Sequence, residues 1–180
     1  MSHIVYISGS PTPYSRTEAV LKFMSETLKK KGHTSQLITM KDIPANDLID
    51  GNWNSDAVIR IGEQIEAADG VVIGTPVYKA SYPGVFKAFI DVLPQQLLAG
   101  KTVLPFMTGG SHYHLLALEY ALKPLISIVQ GSPVRGIYYV DSYIDREQPE
   151  QPIVDEATYA REGLVEASLF FVIIIYWQRM

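Results

Sequence analysis

The sequence contains no cysteine. That absence excludes disulfides, thiolate nucleophiles, zinc–sulfur sites and iron–sulfur clusters together. It fits a reducing cytoplasm, which is the expected location. Basic excess is also lacking: 15 Lys and Arg stand against 19 Asp and Glu, a formal net charge of −4. No nucleic-acid partner is therefore expected, because phosphates must be met by cations. The one basic run, Lys29-Lys30-Lys31, reads as cations at a helix C-terminus before a Gly32 stop. No basic stretch followed by an apolar run opens the chain, so no signal peptide is read. The most apolar segment, residues 169–177, is far shorter than the ~20 residues that span a bilayer, and no membrane partner is expected.

Catalytic groups are sparse as well. Gly-x-Ser-x-Gly is absent, and spacing assigns no Ser-His-Asp set. Asp141, Asp145 and Glu147 read as a solvated loop rather than a carboxylate pair. His112 and His114 are two apart, which does not bring them to one helix face, and no third ligand accompanies them. No metal is expected. Such poverty of acid–base groups suits chemistry carried by a bound cofactor.

What is present is a globular composition, 47% hydrophobic and 19% charged, in 180 residues. One domain spanning 1–180 is expected. Apolar, β-branched runs predict strands over 4–8, 35–39, 70–75, 102–108 and 134–140. Helical patterns fall between them, over 15–31, 55–68, 84–93 and 113–129, with a last helix over 154–177. Strands each followed by a helix imply an α/β fold with a parallel sheet covered on both faces. The expected class is a flavodoxin-like three-layer sandwich, its five strands in the order 2-1-3-4-5. A six-stranded dinucleotide fold is the alternative, and the chain is short for it.

Ligands of such sheets lie beyond the C-terminal strand ends, at the switch point between strands 1 and 3. Three loops then become candidates. The first follows Ser8 and runs Gly9-Ser10-Pro11 to Ser15-Arg16-Thr17. It is neither Gly-x-Gly-x-x-Gly nor a Gly-Lys-Ser/Thr P-loop. Unpaired N–H groups at the following helix start favour an anion. Ser8, Ser10, Ser15 and Thr17 add hydroxyls, and Arg16 adds charge. A monophosphate fits this loop, and flavin mononucleotide (FMN) is the obvious ligand of that kind. The second loop follows Gly74 and contains Pro76, Val77, Tyr78 and Lys79. A planar ring can rest on the first three, with the N–H groups of Val77, Tyr78 and Lys79 at its polar edge. The third is Thr108-Gly109-Gly110-Ser111, where two glycines admit a ligand closely.

In order along the chain, these loops resemble those of the NAD(P)H-dependent FMN reductases of the flavodoxin-like superfamily. The likeness is nearest to the flavin reductases of two-component alkanesulfonate monooxygenase systems. It rests on Gly9-Ser10-Pro11 with Ser15-Arg16, on Thr75-Pro76-Val77-Tyr78-Lys79, on Thr108-Gly109-Gly110 and on Tyr120-Ala121-Leu122-Lys123-Pro124. The resemblance implies hydride transfer from NADPH or NADH to FMN. It implies release of reduced flavin to an FMNH2-dependent monooxygenase of sulfur metabolism, and a homotetramer or homodimer packed through helix 113–129. It also implies that Tyr120 marks a π-bulge at the subunit interface. Leu115, Leu118, Leu122 and Ile126 of that helix are expected to be buried. Two other readings use the same loops. One is a quinone or azo-dye reductase with tightly bound FMN; the other is a flavodoxin-type electron carrier that does not use nicotinamide.

Overall fold

The computed structural model describes residues 1–148, 150–152 and 171. The expected final helix over 154–177 lies outside the described residues except for Phe171, which is fully buried against the core. Strand β1 (His3–Ser8) is apolar almost throughout and buried from Ile4 onward. Helix α1 (Arg16–Lys29) starts at Ser15, whose Oγ accepts the Glu18 N–H at 3.1 Å. That cap satisfies one of the orphan donors of the first turn. The chain turns through Gly32, at φ +86°, into β2 (Thr34–Thr39).

A short helix, α2 (Ala45–Asp50), follows Pro44 and was not expected from the sequence. Helix α3 (Asp56–Glu66) is capped by Ser55 and buries Val58, Ile61 and Ile65. Then come β3 (Gly70–Pro76), α4 (Gly84–Val92) and β4 (Thr102–Gly109).

The expected helix over 113–129 is continuous but not uniform. It opens with a 3-10 turn (His112–His114) and passes through α5 (Leu115–Ala117), a π-helical stretch (Leu118–Leu122) and α6 (Lys123–Ile128). Pro124 explains the change of winding. It has no N–H to give the Tyr120 carbonyl, so an α ladder cannot run through this point. The chain takes a wider turn just before it.

Of the last expected strand, 134–140, only β6 (Ile137–Val140) forms, and a two-residue strand, β5 (Ser132–Pro133), precedes it. Gly136 breaks the run between them at φ +86°. A Cβ there would lie 2.9 Å from Pro105 Cγ and 3.0 Å from Leu118 Cδ2, so only glycine fits.

All strand pairs are parallel, in the order β2-β1-β3-β4-β5, with β6 also on β4. This is the flavodoxin-like order. Alternate residues of β1 face opposite layers. Val5 and Ile7 meet the layer that holds Val58, Phe86, Phe89 and Leu122. Ile4 and Tyr6 meet Val20, Leu21, Met24 and Leu28 of α1. Both faces of the sheet are therefore dry, and polar loops gather at its ends. Among the described residues, no helix is long and apolar enough to cross a membrane.

Candidate functional site

The C-terminal ends of β1, β3 and β4 stand side by side: Ser8 is opposite Gly74, and Pro76 is opposite Thr108. The three loops singled out by sequence all leave from this line.

The first loop lies flat on the sheet. The Gly9 N–H donates to the Gly74 carbonyl at 2.7 Å. A Cβ on Gly9 would approach the Phe86 ring to 2.9 Å, so the glycine lets the backbone rest on that ring. Ser10 Oγ accepts the Thr12 N–H at 3.3 Å and donates to the Thr12 carbonyl at 3.2 Å, which tightens the turn. Tyr14 sits in the left-handed region at φ +53°. Ser15 caps α1 through its lone pair and keeps its proton for another acceptor. The N–H groups of Arg16 and Thr17, in the first turn of α1, have no intrahelical partner. Thr17 Oγ1 is buried and shares a 2.9 Å hydrogen bond with Thr108 Oγ1, joining the first loop to the third. The Ser8 hydroxyl is buried without a partner among the described residues. Arg16 is exposed, its Nε 3.4 Å from the Ile144 carbonyl.

The hydroxyls expected as ligand donors therefore split in use. Ser10 and Thr17 spend theirs largely on holding the loops. Ser15, Arg16 and the first-turn N–H groups face outward.

The second loop differs from expectation. The Val77 N–H donates to the Thr108 carbonyl at 2.7 Å. Tyr78 and Ser81 exchange N–H···O bonds of 2.7 and 3.1 Å across a tight turn. Lys79 and Ala80 form its tip at φ +50° and +63°. Two successive left-handed residues make a type I′ turn, held here without glycine at a cost of order 1–3 kcal/mol per residue. The N–H groups of Val77 and Tyr78 are thus committed. Of the three expected at a ring edge, Lys79's alone has no partner among the described residues. The side chain of Val77 packs on the core, while that of Tyr78 is largely exposed.

The third loop is braced from β6. Tyr138 O–H donates to the Ser111 carbonyl at 2.6 Å. A Cβ on Gly109 would lie 2.6 Å from that hydroxyl, 3.0 Å from His114 Nδ1 and 3.3 Å from Val77 Cβ. A Cβ on Gly110 would meet nothing, so that side is open. Ser111 Oγ accepts the Tyr113 N–H at 3.3 Å. His114 Nδ1 is buried without a partner among the described residues, whereas His112 is exposed and tilts against Tyr143 at 6.1 Å. Burial, reinforced by the charge of Asp141, raises the Tyr138 phenol above its usual range despite the opposing hydrogen bond to Ser111. Tyr138 therefore stays a neutral donor. Burial alone pushes its neighbour Tyr139 up to about 12. Among the described residues, no three His, Cys, Asp or Glu cluster as a metal site would require.

Tyr120 lies in the π-helical stretch and is 79% exposed. Tyr113, Leu116 and Ile128 of the same helical segment are also exposed. Leu118, Leu122 and Ile126 are buried as expected, but Leu115 is 46% exposed.

Size alone does not select this site. A hollow of about 720 Å³, lined by Trp53, Ile59 and Leu97 among others, lies beside the start of β4, at the other end of the sheet. A cavity of about 490 Å³ flanks the third loop between His112, Leu118, Arg135 and Tyr138. Sequence reading missed Phe86 as the floor and Tyr138 as the brace. Both come from distant elements and carry no local motif.

A profile of the NADPH-dependent FMN reductase family matches residues 2–145. An FMN reductase (NADPH) of Pseudomonas putida is 37% identical over 150 residues, covering 83% of this chain and 76% of its own. An FMN reductase (NADPH) of Escherichia coli is 36% identical over 142 residues, covering 78% of this chain and 74% of its own. A solved NADH:FMN oxidoreductase in its apo form superposes with a TM-score of 0.80 and 32% identity, over 95% of this chain and 88% of that one.

Proposed function

The chain belongs to the NADPH-dependent FMN reductase family, and from that premise we propose that it reduces FMN with NADPH or NADH and hands reduced flavin to a partner monooxygenase of the sulfonate-processing kind. The whole chain acts as one FMN-binding domain, and its setting is the reducing cytoplasm. The observation that carries the reading is the alignment of three ligand loops at one end of the sheet, within the span matched by the family profile.

The residues fit an FMN. Its phosphate needs donors and positive potential, which the N–H groups of Arg16 and Thr17, the Ser15 proton and the Arg16 guanidinium supply at the α1 N-terminus. The orphaned Ser8 hydroxyl beneath the loop offers one more polar group. Pro76, Val77 and Tyr78 make one wall for the ring, with the N–H and ammonium of Lys79 at its polar edge. Thr108, Gly109, Gly110 and Ser111 form the opposite edge. When bound, FMN supplies the ring that accepts the hydride.

The chain's own work is positional. The bonds from Val77 N–H to Thr108 O and from Tyr138 O–H to Ser111 O fix the gap between the second and third loops. Fixed spacing of this kind is what orients two stacked reactants. No side chain serves as an obligatory acid or base. A homotetramer or homodimer would cover the exposed Tyr113, Leu116 and Tyr120, which otherwise leave apolar surface in water.

Steady-state NADPH oxidation in air, with FMN titrated into purified protein, tests the proposal. The rate should rise and saturate with added FMN, and sedimentation of the same sample should give a dimer or larger. Flavin-independent turnover by a yellow protein that needs a quinone or dye acceptor would overturn flavin release.

A further inference from the structure

The 490 Å³ cavity beside the third loop has a chemical character that the FMN site does not use. Its lining combines Arg135 and His112 with the phenol of Tyr138 and the apolar walls of Leu115 and Leu118. Its volume is that of a small-molecule subsite. Arg135 is exposed, and its guanidinium makes no ion pair or hydrogen bond with the described residues. The carboxylate on the lining, Glu119, is already held by Lys123 Nζ at 2.7 and 2.9 Å. Asp141, whose charge acts on Tyr138, is not part of the lining. The unspent charge in the cavity is thus the positive one of Arg135.

Place matters as much as charge. Arg135 stands immediately before Gly136, which is wedged against Pro105 and Leu118 and breaks the edge strand. That close approach sets the Gly136 turn against the helix that carries the π-helical stretch. Three residues on, Tyr138 donates to Ser111 in the third loop. Arg135 and Tyr138 lie on either side of the Gly136 break along the chain, and both line the cavity. One cavity lining therefore joins the residue that braces the third loop to the Arg135 guanidinium.

We propose that this cavity is the subsite for the adenosine end of the nicotinamide dinucleotide, with Arg135 recognising the 2′-phosphate of NADPH. The inference rests on the reductase reading above and adds the residue that sets nucleotide preference. A guanidinium grips a phosphate monoester through two parallel charge-assisted hydrogen bonds, a geometry that lysine cannot reproduce. The His112 ring N–H donates to the same anion, and the exposed Leu115 receives the adenosine. NADH lacks the phosphate and leaves Arg135 in solvent.

Calorimetric titration with 2′,5′-ADP and with 5′-ADP, on wild type and Arg135→Gln, tests the subsite without turnover. Wild type should bind 2′,5′-ADP about tenfold or more tightly than 5′-ADP, and Arg135→Gln should erase most of that difference. In kinetics at saturating FMN, the KM for NADPH should rise about tenfold relative to that for NADH, with Arg135→Lys recovering only part. A wild type indifferent to the 2′-phosphate would overturn the proposal, as would a variant that weakens both ligands equally. If neither nucleotide is oxidised in the presence of FMN, the reductase reading falls, and the 2′,5′-ADP titration still decides the role of Arg135.

Discussion

Replacing Gly109 with alanine should lower FMN-dependent kcat/KM by about 100-fold and the thermal midpoint by on the order of 5 °C. The backbone is not the obstacle, because Gly109 does not occupy the left-handed region. Space is. The new Cβ would sit 2.6 Å from the Tyr138 hydroxyl, 3.0 Å from His114 Nδ1 and 3.3 Å from Val77 Cβ. Two of these neighbours are themselves anchored. Tyr138 holds the Ser111 carbonyl, and Val77 holds the Thr108 carbonyl. One methyl group thus pries apart the two loops proposed to grip the ring, at an overpacking cost of about 1–3 kcal/mol. Adding Tyr138→Phe removes the nearest atom. The double variant should regain most of the thermal midpoint yet stay slow, because the Ser111 brace is gone. Wild-type kinetics in Gly109→Ala would show that the loop spacing is not what organises the reaction.

Phe86→Ala should produce the larger loss of stability, about 3–5 kcal/mol. Phe86 is fully buried and meets Tyr82 edge-on at 5.6 Å. Its ring is also the surface on which Gly9 rests. For a domain of this size, the thermal midpoint should fall by roughly 10 °C or more. Removing the floor also frees the first loop to sag, so FMN affinity should fall alongside stability. Phe86→Leu, which keeps most of the volume, should cost much less of both. A fall below about 3 °C with unchanged flavin binding would contradict this account of the loop's support.

Much of the fold can be read in the chain because its central strands are continuous apolar runs. β1, β3 and β4 stand out for that reason, and the start of α1 follows from the polar turn that ends β1. α2 escaped reading because six residues with Leu48 and Ile49 as their large apolar side chains give no usable period. The split between β5 and β6 had a local sign in Gly136, but its cause is tertiary, namely the closeness of Pro105 and Leu118. The site divides in the same way. Its loops are legible as motifs, since Gly9, Pro76 and Gly109 mark where the backbone must turn or come close. Which donors remain free is not legible. The Val77 and Tyr78 N–H groups were expected to face a ligand, and the structure commits both within the protein. Phe86, Tyr138 and Arg135 carry no motif, because their importance comes from what the folded chain sets beside them.

The proposed function depends on the N-terminus of α1 holding the FMN phosphate. Titration of FMN fluorescence with wild-type protein and with Arg16→Ala tests it most directly. The variant should bind FMN about tenfold more weakly, the loss of roughly one charge-assisted contact, while its thermal midpoint stays within about 2 °C of wild type. Equal affinity for FMN in the two proteins would contradict the claim and move the phosphate elsewhere.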